Sequence, residues 1–195
     1  VDRYYIENFL SENAACIRGR VLEIGDNAYT MAYGKERVTQ SDILYIDDSN
    51  PDATIIGDLS TADHIASDQF NAIVLTQTLH MIYDFTSAIR HCHRMLKPGG
   101  TLLLTVPGIT QIDNGKWEHT WYWSFTGRVI QRLLQEYFHP DDVLVQTHGN
   151  VLAAAAFLYG MGKNEISTPE KDANDPRYQV IITARAVKKE NETQS

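Results

Sequence analysis

Short apolar runs punctuate this chain, and what stands between and after them narrows the folds open to it. Val21–Ile24, Ile43–Ile46, Thr54–Ile56, Ala72–Leu75 and Leu102–Val106 are brief and show no clear polar alternation. Runs of this kind suit strands buried on both faces of a parallel sheet. Helical pattern separates the later ones. Phe85, Ala88, Ile89, Cys92, Met95 and Leu96 recur at helical spacing, and Lys97-Pro98-Gly99-Gly100 then stops the helix and turns the chain into the next strand. Val129, Ile130, Leu133, Leu134, Tyr137 and Phe138 make a second stripe. Toward the end, Val143–Gln146 and Tyr178–Ala186 read as strands around an Ala-rich helix from Val151 to Tyr159, and the polar stretch 162–177 reads as a mobile loop. The alternation predicts an α/β fold with one doubly wound sheet. Its boundaries are an N-terminal helical cap at 1–19 (the helix itself at 4–17), a single domain at 20–187 and a disordered tail at 188–195.

Composition agrees. A chain of 195 residues that is 43% hydrophobic holds enough apolar material for one core, which excludes disorder. No run approaches the roughly 18 apolar residues of a membrane span. Cys16 and Cys92 lack metal-site spacing and read as reduced, buried thiols of a cytoplasmic protein. A first residue other than Met leads to the expectation of a domain excised from a larger chain. Net charge is −8, and Val38–Ile89 holds eight Asp residues with no Lys or Arg. A phosphate-rich partner would be repelled there, so nucleic acid is not an expected ligand. Asp52, Asp63 and Asp68 read as solvated loop carboxylates.

In doubly wound sheets ligands sit beyond the carboxyl ends of the strands. Gly25 follows the first strand, where a tight turn brings backbone close to a ligand. Asp47 ends the second, 22 residues past Gly25, the spacing at which an acid grips ribose hydroxyls. Asp58 follows the third, and Thr76-Gln77-Thr78 the fourth. These features predict a ribonucleoside. The full GxGxxG of a dinucleotide site is missing, Asp26 stands where pyrophosphate would lie, and no P-loop exists. S-adenosylmethionine carries a ribose, an ammonium and a sulfonium without phosphate, so carboxylates suit it.

Taken together, Val21-Leu22-Glu23-Ile24-Gly25, Tyr45-Ile46-Asp47, Gly57-Asp58-Leu59, Phe70–Val74 through Leu79-His80, and Arg94–Gly100 resemble the class I S-adenosylmethionine-dependent methyltransferases, in that family's order. The resemblance implies a Rossmann-like, seven-stranded, mostly parallel sheet with an antiparallel last strand. It implies that Gly25 approaches the amino-acid part of the cofactor and that Glu23 orients the loop. Asp47, with Asp48 as alternate, takes the ribose; Asp58 and the Leu59 amide take adenine; Thr76 and Gln77 line the methionine side. Arg3 and Tyr4 are expected over the cofactor carboxylate. Asn27 and Tyr29 replace later glycines of the family's loop, which motivates a rival reading as a catalytically idle scaffold.

Methyl transfer needs an aligned nucleophile and, for a hydroxyl, a base. Residues 107–126 hold the candidates: His119 first, since histidine ordinarily titrates near neutrality, then Glu118 and Asp113. Trp117, Trp121 and Trp123 crowd the same stretch. No metal is expected. His91 and His93 face different helix sides, His139 and His148 read as surface residues, and His80 reads equally as packing. Leu75–Leu79, Val106–Ile109 and Tyr122–Thr126 further resemble methyltransferase domains of bacterial polysaccharide-assembly proteins. That implies O-methylation of a sugar hydroxyl, with a small-metabolite acceptor as the alternative. Aromatic rings suit apolar sugar faces.

Overall fold

The computed structural model describes residues 1–162 and 164–190. Strands β1 (Gly19–Ile24), β2 (Val38–Tyr45), β3 (Ile55–Ile56), β4 (Phe70–Thr76) and β5 (Leu96–Pro107) run parallel. β7 (Ile181–Val187) lies antiparallel between β5 and β6 (Val143–His148), giving the order β3-β2-β1-β4-β5-β7-β6. This is the predicted sheet. The order reverses between β1 and β4, so the crevice above their carboxyl ends is open to a ligand.

The unalternating runs follow from covering both faces. Val21, Ala72, Val74 and Leu103 pack to one side, with Tyr5 and Phe9 of α1 (Asp2–Glu12) and Ala153 of α4 (Val151–Leu158). Leu22, Ile73, Leu75 and Leu104 point to the other, against Ile89 of α2 (Phe85–Met95) and Ile130 of α3 (Gly127–Gln135). Successive side chains still alternate; both destinations are apolar. Side-chain oxygens cap the helices: Asp84 accepts from the Ser87 amide, Thr126 from Val129 and Asn150 from Ala153.

Several expectations change. The stretch 162–177 holds a short helix, α5 (Thr168–Asp172), started by a reciprocal capping box between Ser167 and Glu170. Asn150 Nδ2 donates to the Glu170 and Ala173 carbonyls, and the Tyr5 hydroxyl to that of Lys171, so a polar segment becomes packed structure. His148 is not a surface residue: its Nε2 lies 2.9 Å from Thr183 Oγ1 and its ring stacks on Tyr5. Backbone pairing outlasts β7, because the Lys188 amide donates to the Gly100 carbonyl and Gly99 to that of Lys188. Lys188 Nζ also donates to Asp68, at 2.7 Å, which removes Asp68 from the freely solvated acids and Lys188 from the expected loose tail. Residues 191–195 of that tail lie outside the described residues.

Cys92 is fully buried and its thiol is pushed up to about 12 by burial, whereas Cys16 is only half-buried. Brief alkylation of the native protein is therefore expected to label Cys16 alone, and denatured protein at both positions. Mass spectrometry counts the adducts; rapid double labelling of native protein contradicts the packing around Cys92.

Candidate active site

The turn after β1 is organised from beneath. Glu23 is 2% exposed, and its carboxylate accepts hydrogen bonds from the Thr30 and Tyr29 amides at 2.7 and 3.3 Å. Those amides open the helical turn Thr30–Gly34, so Glu23 caps it directly. Burial pushes the Glu23 carboxyl up to about 7, against the opposing pull of these hydrogen bonds. Gly25 has a φ of 98°, and a Cβ placed there would meet nothing within 4 Å. Its backbone therefore faces open space in a conformation that favours glycine. Asp26 turns inward on its own loop by accepting from the Ala28 amide. Asn27 donates to Ser41, and Asn50 donates to the Gly25 carbonyl. Side chains thus hold a loop whose later positions lack glycine.

Along the same edge, Asp47 and Asp48 stand exposed past β2. Hydrogen bonding from Ser49, helped by the nearby Lys116 ammonium, holds the Asp47 carboxyl below the usual carboxylate range. Asp58 follows β3 and accepts from both the amide and the hydroxyl of Ser60 at 2.7 Å, starting a 3-10 turn that buries Leu59. After β4, Gln77 adopts a left-handed φ of 46° and is fixed to β5, its amide donating to the Thr105 carbonyl and its Nε2 to Thr105 Oγ1. Such a conformation costs energy for a residue with a side chain and concentrates at functional sites.

A cavity of about 410 Å³ opens over these ends, lined among others by Gly25, Ile46, Asp58, Leu59, Ile82 and Tyr122. That volume suits a nucleoside-sized ligand. The site acids reach it unequally. Gly25, Asp58 and Leu59 line it, while Asp47 and Asp48 sit outside the lining beside Ile46, and Thr76 and Gln77 lie behind Thr78. Glu23 is beneath the loop. Arg3 instead pairs with Glu7, and Tyr4 donates to Asp172; neither faces this cavity.

Residues 108–126 form a strap across the crevice. Its far end reaches β2, where Lys116 Nζ donates to the Tyr45 hydroxyl at 2.9 Å and lies over the Tyr45 and Trp117 rings. Its return is fixed by the Tyr122 and Trp123 amides, which donate to the His80 carbonyl, and by Trp123 Nε1, which donates to that of Ile82. Trp117, Thr120 and Tyr122 line the cavity. Among the expected bases, Asp113 accepts from the Trp117 amide at 3.3 Å, whereas His119 and Glu118 are exposed in the turn between two lining residues. The structure therefore gathers the residues expected to hold a cofactor along one edge of the sheet and leaves the three expected bases outside the cavity lining. Sequence reasoning missed Tyr83 and Asp84, which line the cavity past Ile82; Tyr83 packs edge-on to Tyr122 at 5.4 Å. Their signal was an aromatic followed by a helix-capping acid directly before the stripe that starts at Phe85. Among the described residues no three His, Cys, Asp or Glu side chains converge on a metal position.

Known structures share this fold. A putative sarcosine dimethylglycine methyltransferase from Galdieria sulphuraria superposes with a TM-score of 0.62 at 14% identity, over 95% of this chain and 85% of its own. A SAM-dependent methyltransferase from Archaeoglobus fulgidus gives 0.59 at 15% identity, over 95% and 90%. Haemonchus contortus phosphoethanolamine N-methyltransferase 2, solved with phosphomonomethylethanolamine and S-adenosylhomocysteine, gives 0.59 at 14% identity over 89% of this chain. This chain spans about half (49%) of that protein's length. No curated protein matches the sequence. At these identities the superpositions speak for the fold. The methyltransferase domain family matches residues 8–142, more than half of the chain, and the chain belongs to that family.

Proposed function

We propose that this protein is an S-adenosylmethionine-dependent O-methyltransferase whose acceptor is a hydroxyl on a small molecule, a sugar foremost, in the cytoplasmic assembly of a bacterial surface glycan. The observation that carries the cofactor reading is the open Gly25 backbone beside a rim of carboxylates over a nucleoside-sized cavity. No phosphate cradle competes with it, because Asp26 occupies the turn where one would form. In this reading Asp47, or Asp48, holds the ribose hydroxyls, Asp58 and the Leu59 amide hold adenine, and Gly25 admits the amino-acid part. Glu23 keeps the loop in shape from below, and Thr76 and Gln77 support the methionine side. The cofactor supplies an electrophilic methyl group on a sulfonium.

The chain's own contribution is alignment. The strap covers the crevice, excludes water and sets the acceptor in line, a source of rate independent of acid–base chemistry. His119, with Glu118 and Asp113 as alternates, is assigned to accept the hydroxyl proton, because its turn ends at the lining residue Thr120. The sugar assignment draws on the aromatic residues of the strap and on the three stretches that resemble polysaccharide-assembly domains. Amines belong beside it in any assay, since two structural neighbours are named for amine acceptors.

Calorimetry with S-adenosylhomocysteine is expected to show binding that Asp47→Ala weakens roughly ten- to hundredfold, the share of charge-assisted hydrogen bonds to ribose. Absence of heat and of thermal shift with either form of the cofactor would leave a scaffold domain instead. A second expectation concerns turnover: His119→Ala keeps cofactor affinity and loses methyl transfer on a panel of glycans, metabolites and amines read by mass spectrometry. Full activity in that variant removes His119 as the base, and methylated amines alone overturn the hydroxyl acceptor.

A further inference from the structure

His80 sits in the short turn Leu79–Met81 after β4 and is 2% exposed, yet neither ring nitrogen has a hydrogen-bond partner. Its ring centroid lies 4.4 Å from that of Trp121, whose buried Nε1 is likewise unpaired. The two residues are brought together by the His80 carbonyl, which accepts from the Tyr122 and Trp123 amides. Their chain neighbours Thr78 and Met81 on one side, and Thr120 and Tyr122 on the other, line the large cavity. The pair thus lies on the seam between the connection that carries cofactor-side residues and the strap expected to meet the acceptor.

Unpaired buried polar atoms are rare and costly, so two residues of this kind in ring contact call for a shared partner. The donor set defines that partner. An indole nitrogen only donates, while a neutral imidazole offers one donor and one acceptor nitrogen. Burial pushes His80 down to about 4, so the ring is neutral at neutral pH. A carboxylate or phosphate could accept from both N–H groups, but it would bury an unpaired negative charge beside a neutral ring and leave the imidazole acceptor without a donor. An ammonium only donates and would oppose the indole N–H. A hydroxyl carries no charge, accepts from the indole N–H and donates to the unprotonated imidazole nitrogen, which leaves only the imidazole N–H for a second oxygen.

We propose that His80 and Trp121 form a subsite for an uncharged hydroxyl, which Trp121 Nε1–H donates to and an imidazole nitrogen of His80 accepts from. This deepens the acceptor reading above and rests on it. Both residues are positioning groups: they select a hydroxyl-bearing molecule and fix the oxygen, whereas proton removal stays with the strap.

The test is nitrogen NMR on protein labelled at histidine and tryptophan, saturated with S-adenosylhomocysteine, with Trp121→Phe and His80→Gln assigning the signals. Methyl α-D-glucopyranoside is the probe; acetate and methylammonium are the controls. The expected result is a saturable shift of both the His80 ring nitrogens and the Trp121 indole signal with the glucoside and with neither ion. Trp121→Phe, which keeps a ring and deletes one N–H, is expected to weaken the probe about tenfold. Signals that ignore the glucoside, as a site closed around bound water would give, overturn the proposal. So does an equal response to either ion. Calorimetry on the same samples separates the two ideas: failure to bind S-adenosylhomocysteine sinks the cofactor reading, and the His80 response is then read without it.

Discussion

The crevice depends on one buried carboxylate. Glu23 ends β1 with its side chain out of water, and the amides it accepts from belong to the turn that begins at Tyr29 and Thr30. Removing those bonds would leave a carboxyl in an apolar setting and free the amides of a helical turn, so the geometry of Gly25 would lose its support. Because Asn50 reaches across to the Gly25 carbonyl, the same turn also fixes the connection after β2. Asp47 and Asp48, just before Asn50, are therefore held near Gly25 by hydrogen bonds that run back to the turn capped by Glu23.

Much of this frame was legible in the sequence because its causes are local. The strands between Val21 and Val106 declared themselves by continuous apolar runs, and the stripe from Ala88 to Met95 by its spacing. Boundaries moved where hydrogen bonding extended beyond the apolar residues: β2 begins at Val38 although its buried part starts only at Asp42. The helix at Thr168 was missed although Ser167 and Glu170 carry the capping pattern, because the surrounding polarity and prolines argued for a loop. His148 was misplaced since its partners, Thr183 and Tyr5, are remote in sequence.

The strap was harder to read for the same reason. Nothing local tells where residues 108–126 will lie. Lys116 reaches Tyr45, and Trp123 reaches Ile82, only because the strap leaves the end of β5, crosses the ends of β4 and β1 to β2, and returns to the β4 connection. As a result the aromatic density of the strap was visible, but its division was not. Trp117 and Tyr122 face the cavity, Trp121 packs on His80, and Trp123 joins Phe85.

The insertion of β7 between β5 and β6 also sets an order of events during synthesis. Residues Thr101–Pro107 pair with Ile181–Val187, and β6 has no other neighbour in the sheet. Until that late segment leaves the ribosome, β5 presents an unpaired edge and β6 has nothing to dock on. Long-range pairing of this kind is slow, and exposed strand edges invite wrong partners. The growing polypeptide thus carries a sticky flank from the completion of β5 until residues 181–187 emerge, and β7 acts as the keystone that closes it.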